Sequence, residues 1–321
     1  MRWSACTLIV AGVLCLGWPL TADTPAPHQD PQLPQAEVPA PPIFRAESNL
    51  VVLHVNVFDG RSDAVPDLPQ SAFQVIEDDT PQAISLFNNE DVPVAVGLVI
   101  DNSGSMITRR GMVLAGTRAF AQASHEEDEL FTIVFNENIR FGLPEPMSFT
   151  RSRGLIEASL RRYPAGGMTA LHDAVVEGLE HLQESRHQKR VLVVLSDGGD
   201  NASQHSEENM LERAARSNAL IYTVSIEQLG VRGGNRSLLR KLAERSGGVA
   251  YRPDTEADVA QTFGEIARNI RRGYSIGYVP TNTSQDGRFR RVKVTVRAAG
   301  YKNLHVSARD GYLAPRHADA R

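Results

Sequence analysis

Residues 94–112 read VAVGLVIDNSGSMITRRGM. Apolar or small residues run unbroken from Val94 to Ile100 and stop at Asp101; Asn102, Ser103, Gly104 and Ser105 follow, and then a helix-like pattern begins. A strand with one wet face would alternate, whereas an unbroken run suits a strand covered on both faces, as in a parallel sheet between helices. Four further runs have the same unbroken character, namely LFTIVF (130–135), RVLVVLS (190–196), ALIYTVSI (219–226) and GVAYR (248–252). Helical spacing separates them, in Met112, Ala115, Ala119, Phe120 and Ala123, in Leu171, Val175, Leu179 and Leu182, in Leu238, Leu239 and Leu242, and in Val259, Phe263, Ile266 and Ile270. Strands alternating with helices predict a doubly wound α/β domain with a mostly parallel sheet. The expected strand order is 3-2-1-4-5-6, with VAVGLVI first and RVLVVLS fourth. The turn NEN at 136–138 predicts one short antiparallel edge strand, IRFG.

In such a sheet, ligands collect at the carboxyl ends of the strands where the order reverses. Asp101 ends strand 1, and Asp197, in VLVVLSDGGDN (191–201), ends strand 4. Two carboxylates at the end of a buried sheet repel unless a cation or protons intervene. Ser103 and Ser105 follow Asp101 at alternating spacing, which lets one tight loop aim all three at a point, with Gly104 allowing the bend. Thr169 lies in YPAGGMTALHDAV (163–175), a Gly-Gly loop directly before a helix. Two Asp, two Ser and one Thr are all hard oxygen donors; they suit Mg²⁺, or Mn²⁺ or Ca²⁺, and leave a position for an outside anion. The bland alternative is a capped turn, with Ser105 capping the helix. Asp200 and Asn201 read as turn formers, with groups that support the metal ligands from behind as the alternative, and Asp173 reads as a helix-start residue.

DNSGSM matches the D-x-S-x-S motif of the von Willebrand factor type A domain, and Thr169 and the SDG Asp197 match the second and third loops of its metal-ion-dependent adhesion site. The match spans about Val92 to Arg272. The flanks resemble a bacterial group of such proteins in which F-x-V-x-E-D precedes the domain and Y-x-x-G-Y-x-P follows it; here these are FQVIEDD (73–79) and YSIGYVP (274–280). The resemblance implies a cation-dependent module without catalytic activity that binds a protein partner through that partner's Asp or Glu carboxylate. It implies direct coordination by Ser103 and Ser105, and direct or water-mediated contact from Thr169, Asp101 and Asp197. It also implies coupling of ligand binding to movement of the last helix, here ADVAQTFGEIARNIRR (257–272).

Around this domain the pattern changes. NLVVLHVNVFD (49–59) alternates, with Val51, Leu53, Val55 and Val57 on one face and His54 and Asn56 on the other; two shorter strands follow in SAFQVIEDDTPQAISLF (71–87). Alternation returns after Gly273 in YSIGYV, RRVKVTVRAAG and LHVSARDGYL. A three-stranded unit is a poor independent fold, so residues 45–90 are expected to pair with 273–314 in a small β-sandwich into which the α/β domain, 91–272, is inserted; 315–321 is a tail. At the N-terminus, Arg2 and a charge-free stretch ending in PLTA (19–22) read as a signal peptide, 1–22, with an uncleaved membrane anchor as the rival; a Pro-rich linker follows, 23–44. Both cysteines, Cys6 and Cys15, lie in the first segment, so the mature chain would hold no thiol chemistry.

The 321 residues carry a net charge of −4, which argues against a nucleic-acid partner. The expected function is an exported, cation-dependent protein-binding module, periplasmic, extracellular or at the cell surface. A metal-dependent hydrolase or phosphatase using Asp101 and Asp197, and a structural component with a vestigial metal site, stand as the alternatives. A hydrolase needs a nucleophile and a base within reach, and two residues beyond Asp101 stands Ser103, not a second carboxylate.

Overall fold

The computed structural model describes residues 50–60, 64–226 and 234–316. The expected signal segment 1–22, the linker 23–44 and most of the tail lie outside the described residues.

Four strands come first: β1 (Val51–Phe58), β2 (Phe73–Glu77), β3 (Thr80–Gln82) and β4 (Ile84–Asn88). The α/β part then runs β5 (Ala95–Asp101), α1 (Arg110–Ala123), β6 (Glu129–Phe135), β7 (Ile139–Phe141), α2 (Arg153–Arg161), α3 (Leu171–His181) and β8 (Arg190–Ser196). It continues with α4 (Glu207–Arg216), β9 (Ala219–Ser225), α5 (Arg236–Ser246), β10 (Ala250–Tyr251) and α6 (Glu256–Arg272). The chain ends in β11 (Tyr274–Tyr278), β12 (Phe289–Val296), β13 (His305–Ser307) and β14 (Gly311–Leu313).

The central sheet has the order β10-β9-β8-β5-β6-β7, which is 3-2-1-4-5-6 when its strands are numbered within the domain. All its pairs are parallel except β6 with β7, the edge expected from the NEN turn. Every residue of β5 and β9 is buried, which is why both read as unbroken apolar runs. Helices cover both faces, and the core they enclose with the sheet includes Leu98, Ile100, Phe120, Leu179, Val193 and Phe263. The helix starts are capped locally: Ser152 caps α2, Ser206 caps α4, Asn235 caps α5, and Thr255 with Asp258 forms a reciprocal capping box on α6. Helix α2 was not anticipated, because Leu155, Ile156 and Leu160 give too short an apolar stripe to stand out.

The strands outside this domain form two antiparallel sheets, β13-β1-β11-β4 and β14-β12-β2-β3. Each mixes strands from before and after the α/β domain: β1 and β4 both pair with β11, and β2 pairs with β12. Leu53, Val55, Val75, Tyr274, Ile276 and Val292 share one core between the two sheets, so the unit is a sandwich. The Tyr274 hydroxyl donates to the Val65 carbonyl (2.7 Å) and accepts from the Leu68 N–H (3.0 Å), tying the β1–β2 connection to that core.

The alternation of β1 implies a half-buried strand, and that is corrected. Asn56 does lie on the face away from the sandwich core, but it is buried, and its amide donates to the Tyr222 hydroxyl of β9 (3.0 Å). The second face of β1 is covered by the α/β domain instead of water. Nearby, the Ser307 hydroxyl bonds the carbonyls of Gly247 and Gly248 (3.1 and 2.9 Å). A single residue, Gly273, joins α6 to β11; a Cβ there would stand 2.8 Å from the Asn56 amide oxygen.

Candidate functional site

The parallel register sets Asp101 at the C-terminal end of β5 beside the end of β8, where Ile100 pairs with Leu195. The Asp101 carboxylate is buried. Its Oδ1 accepts the Ser103 N–H (2.9 Å) and its Oδ2 accepts the Ser196 hydroxyl (2.6 Å). Burial pushes the Asp101 pKa above the usual carboxylate range; hydrogen bonds from Ser103 and Ser196 oppose that, and the negative charge of Asp197 adds to it. The carboxylate is thus held in place with, among the described residues, no cationic side chain paired to it.

Ser103 is buried and Ser105 exposed, with their hydroxyl oxygens 3.2 Å apart. Residues Gly104–Arg109 form a 3₁₀ turn, and no side chain caps it, so Ser105 is not the helix cap of the bland reading. Gly104 does not take a left-handed backbone. Its N–H bonds the Gly167 carbonyl (3.1 Å), and a Cβ would lie 3.3 Å from that oxygen. Close approach of a second loop, rather than a bend, is what glycine provides at 104.

Three loops close a circuit. The first meets the second through Gly104 to Gly167 and through the Gly166 N–H on the Asn102 carbonyl (2.8 Å). The second meets the third at Thr169, whose N–H donates to Asn201 Oδ1 (2.8 Å) and whose carbonyl accepts the N–H groups of Asn201 and Ala202 (2.9 and 3.0 Å). The third returns to the first through Ser196 and Asp101. Asp197 follows Ser196 directly and accepts the Gly199 N–H (2.9 Å). Between them Gly198 sits at φ +85°, where a Cβ would also fall 2.5 Å from the Asn235 carbonyl oxygen.

Asp101, Ser103 and Ser105 are joined directly, and Thr169 and Asp197 are brought to the same strand ends by this backbone circuit. Among the described residues no hydrogen bond links the Thr169 or Asp197 side chain to the first three. Nor do three or more His, Cys, Asp or Glu gather at any point among the described residues. An ion held here would therefore rest on two carboxylates supplemented by hydroxyls, a hard donor set.

Positioning residues passed over in the sequence are now visible. Ser196 ends an apolar run and opens SDG, where only Asp197 was read as a site residue. Asn201 and Asp200 looked like turn formers, yet Asn201 holds Thr169, while Asp200 accepts the His172 N–H (3.0 Å) and the Ser203 hydroxyl (2.5 Å). Arg110 donates to Asn102 Oδ1 (3.0 Å) and to the Leu160 and Tyr163 carbonyls (3.0 and 2.8 Å), pinning the approach to the second loop. Asp173 accepts the N–H groups of Gln204 and His205 (both 2.8 Å), a structural role. Ile107 and Met168, on the first and second loops, are exposed large apolar side chains.

Residues 96–199 match the family model of the von Willebrand factor type A domain. No curated protein matches the chain. Among solved structures, a von Willebrand factor type A protein from Catenulispora acidiphila superposes with a TM-score of 0.50 at 15% identity, over 86% of this chain and 76% of that one. The conserved hypothetical protein BatB from Bacteroides thetaiotaomicron gives 0.44 at 16%, over 55% of this chain and 98% of that one. Proximal thread matrix protein 1 from the mussel byssus, in a structure with a zinc-occupied MIDAS motif, gives 0.49 at 12%, over 60% and 49%.

Proposed function

The chain carries a von Willebrand factor type A domain, and from that premise we propose that it is an exported binding module dependent on a divalent cation, Mg²⁺ above Mn²⁺ or Ca²⁺, held by Asp101, Ser103, Ser105, Thr169 and Asp197. The observation that carries this reading is the buried Asp101 carboxylate, fixed by Ser103 and Ser196 within the field of Asp197 and left, among the described residues, without a cation of the protein's own. A hard divalent ion would supply the missing positive charge and an open position for a carboxylate oxygen from a partner protein.

The chain's own residues do the rest. Asp101 and Asp197 bring two negative charges, matched to a divalent ion, and Ser196 holds Asp101 so that its orientation does not depend on the ligand. Ser105 is exposed, which gives the centre access from outside. Ile107 and Met168 offer apolar surface to whatever surrounds the incoming carboxylate. Among the described residues no helix is long and apolar enough to cross a membrane; export in this reading rests on the N-terminal sequence.

Calorimetric titration of Mg²⁺ into the wild type and Asp101→Ala tests the proposal. Binding to the wild type alone is expected, and equal binding to both sinks it. Hydrolysis of a generic phosphoester by the wild type but not by Asp101→Ala would replace it with the phosphatase alternative.

A further inference from the structure

The opposite end of the central sheet holds a feature that the metal centre does not use. Strand β8 runs from Arg190 to Ser196, so this end lies about 20 Å from Asp101 at the usual rise per strand residue. Two cavities, of about 520 and about 670 Å³, adjoin there and share Leu50, Val52 and Asn218 in their walls. They lie where the sandwich meets the starts of β8 and β9.

The walls have one sign of charge. Arg216 and Arg309 line the smaller cavity, Arg186, Lys189 and Arg190 the larger, and among the described residues no Asp or Glu lines either. This is not a bias of composition, because acidic residues outnumber basic ones in the chain, 38 to 34.

Most of these cations also lack a carboxylate partner. Arg216 pairs with Glu212. Arg190 donates only to Gln183 and the Ser185 carbonyl, and Arg309 to the Val52 carbonyl and Asn218. Arg190 Nε and Arg309 Nε are buried with no hydrogen-bond partner. Lys189 is only 5% exposed; among the described residues it makes no side-chain hydrogen bond or ion pair. Asp91 and Asp128 lie within its electrostatic reach and share one guanidinium, Arg271, so a single net negative charge is left facing Lys189. Burying the guanidinium nitrogens of Arg190 and Arg309 with no carboxylate partner among the described residues is costly, and an anion from outside would offset that cost.

The remaining wall is apolar and amide-bearing. Leu50, Leu86 and Val279 are exposed large apolar side chains along the cavities. Asn218 and Asn282, whose amide oxygens accept from Arg309 and from the Ser284 N–H, add amide donors suited to a peptide backbone. A polyphosphate or sulfated polymer would leave the apolar walls wet, whereas a peptide alternating acidic and apolar residues would fill them.

We propose that this trough between the sandwich and the α/β domain is a second binding site, independent of the metal centre, for an extended acidic-apolar peptide segment of a partner protein.

The probe is a fluorescent peptide of three Glu-Leu-Asp-Ser repeats, followed by polarisation on the full chain in EDTA. Saturable binding that weakens with salt is expected, with Arg186→Glu reducing affinity about tenfold or more. Arg186 makes no hydrogen bond or ion pair among the described residues, so this variant should fold as the wild type does; Lys189→Met, similar in volume, provides the buried counterpart. Asp101→Ala should bind the peptide normally even if the metal reading fails. No binding by the wild type, binding unchanged in both trough variants, binding that needs Mg²⁺, or capture of polyphosphate in preference to the peptide would each overturn the proposal.

Discussion

At the scale of the residue, Asp101 is a carboxylate kept where burial disfavours its charge. Its carboxylate is buried in the field of Asp197, so its charge is a liability until something outside compensates it. Asp101→Asn keeps an oxygen for the Ser103 N–H and removes the charge. In EDTA this variant should be more stable than the wild type. With Mg²⁺ at a hundredfold excess over Kd the wild type should gain about 2.7 kcal/mol by linkage and the variant almost nothing. Urea titrations with and without Mg²⁺ read both effects; a variant less stable in EDTA, or one stabilised by Mg²⁺ like the wild type, contradicts this role for Asp101.

At the scale of the element, the five proposed ligands sit on three loops whose mutual bonds are mostly made by backbone atoms and by side chains that are not themselves proposed ligands. Asn201 is the clearest case, since it anchors Thr169 through both its amide oxygen and its N–H. Asn201→Ala should leave the folded structure intact yet weaken Mg²⁺ binding about tenfold, in the range usual for groups that orient a ligand. Calorimetry of this variant decides; unchanged affinity would mean that the loop holds its shape without the side chain. This also marks the limit of what the sequence reveals. The strand order was legible because unbroken apolar runs and helical spacing are set by burial, which is a property of single elements. The antiparallel edge was legible because Asn136 and Asn138 form a local turn: the Asn138 N–H bonds the Asn136 side chain (2.9 Å). Asn201, Asp200 and Ser196 act across loops distant in sequence, and their residue types say only that a turn or a strand end is near. The burial of Asn56 was illegible for the same reason, because alternation identifies two faces but not what covers the second.

At the scale of the whole molecule, the junction of the sandwich with the α/β domain concentrates titratable groups whose ordinary charge is disfavoured. Burial, with the charges of Lys189 and Arg309 adding to it, lowers the His54 pKa from 6.5 to about 3. Burial likewise lowers Lys189 from 10.5 to about 8. Both groups bind protons more readily in the unfolded chain, so each contributes stability that rises with pH across its own window. For His54 stability is lost as pH falls from 6.5 toward about 3, and for Lys189 it is gained as pH rises from about 8 toward 10.5. Denaturation midpoints followed with pH should show a shallower acid limb in His54→Gln. In Lys189→Met the gain between about 8 and 10.5 should be missing. Profiles parallel to the wild type in both variants would mean that these residues do not set the pH dependence.

The link at Gly273 has a mechanical meaning as well. Helix α6 feeds through that one residue into β11, an inner strand flanked on both sides by β1 and β4. A piston needs slack at its end, and here there is one residue of it, with no room for a Cβ beside Asn56. Any travel of α6 along its axis must therefore drag an inner strand out of register or be absorbed at the opposite end of the helix, before Glu256. The sandwich acts as ballast on the last helix, and whatever the three loops grip is gripped by a frame anchored at its far end.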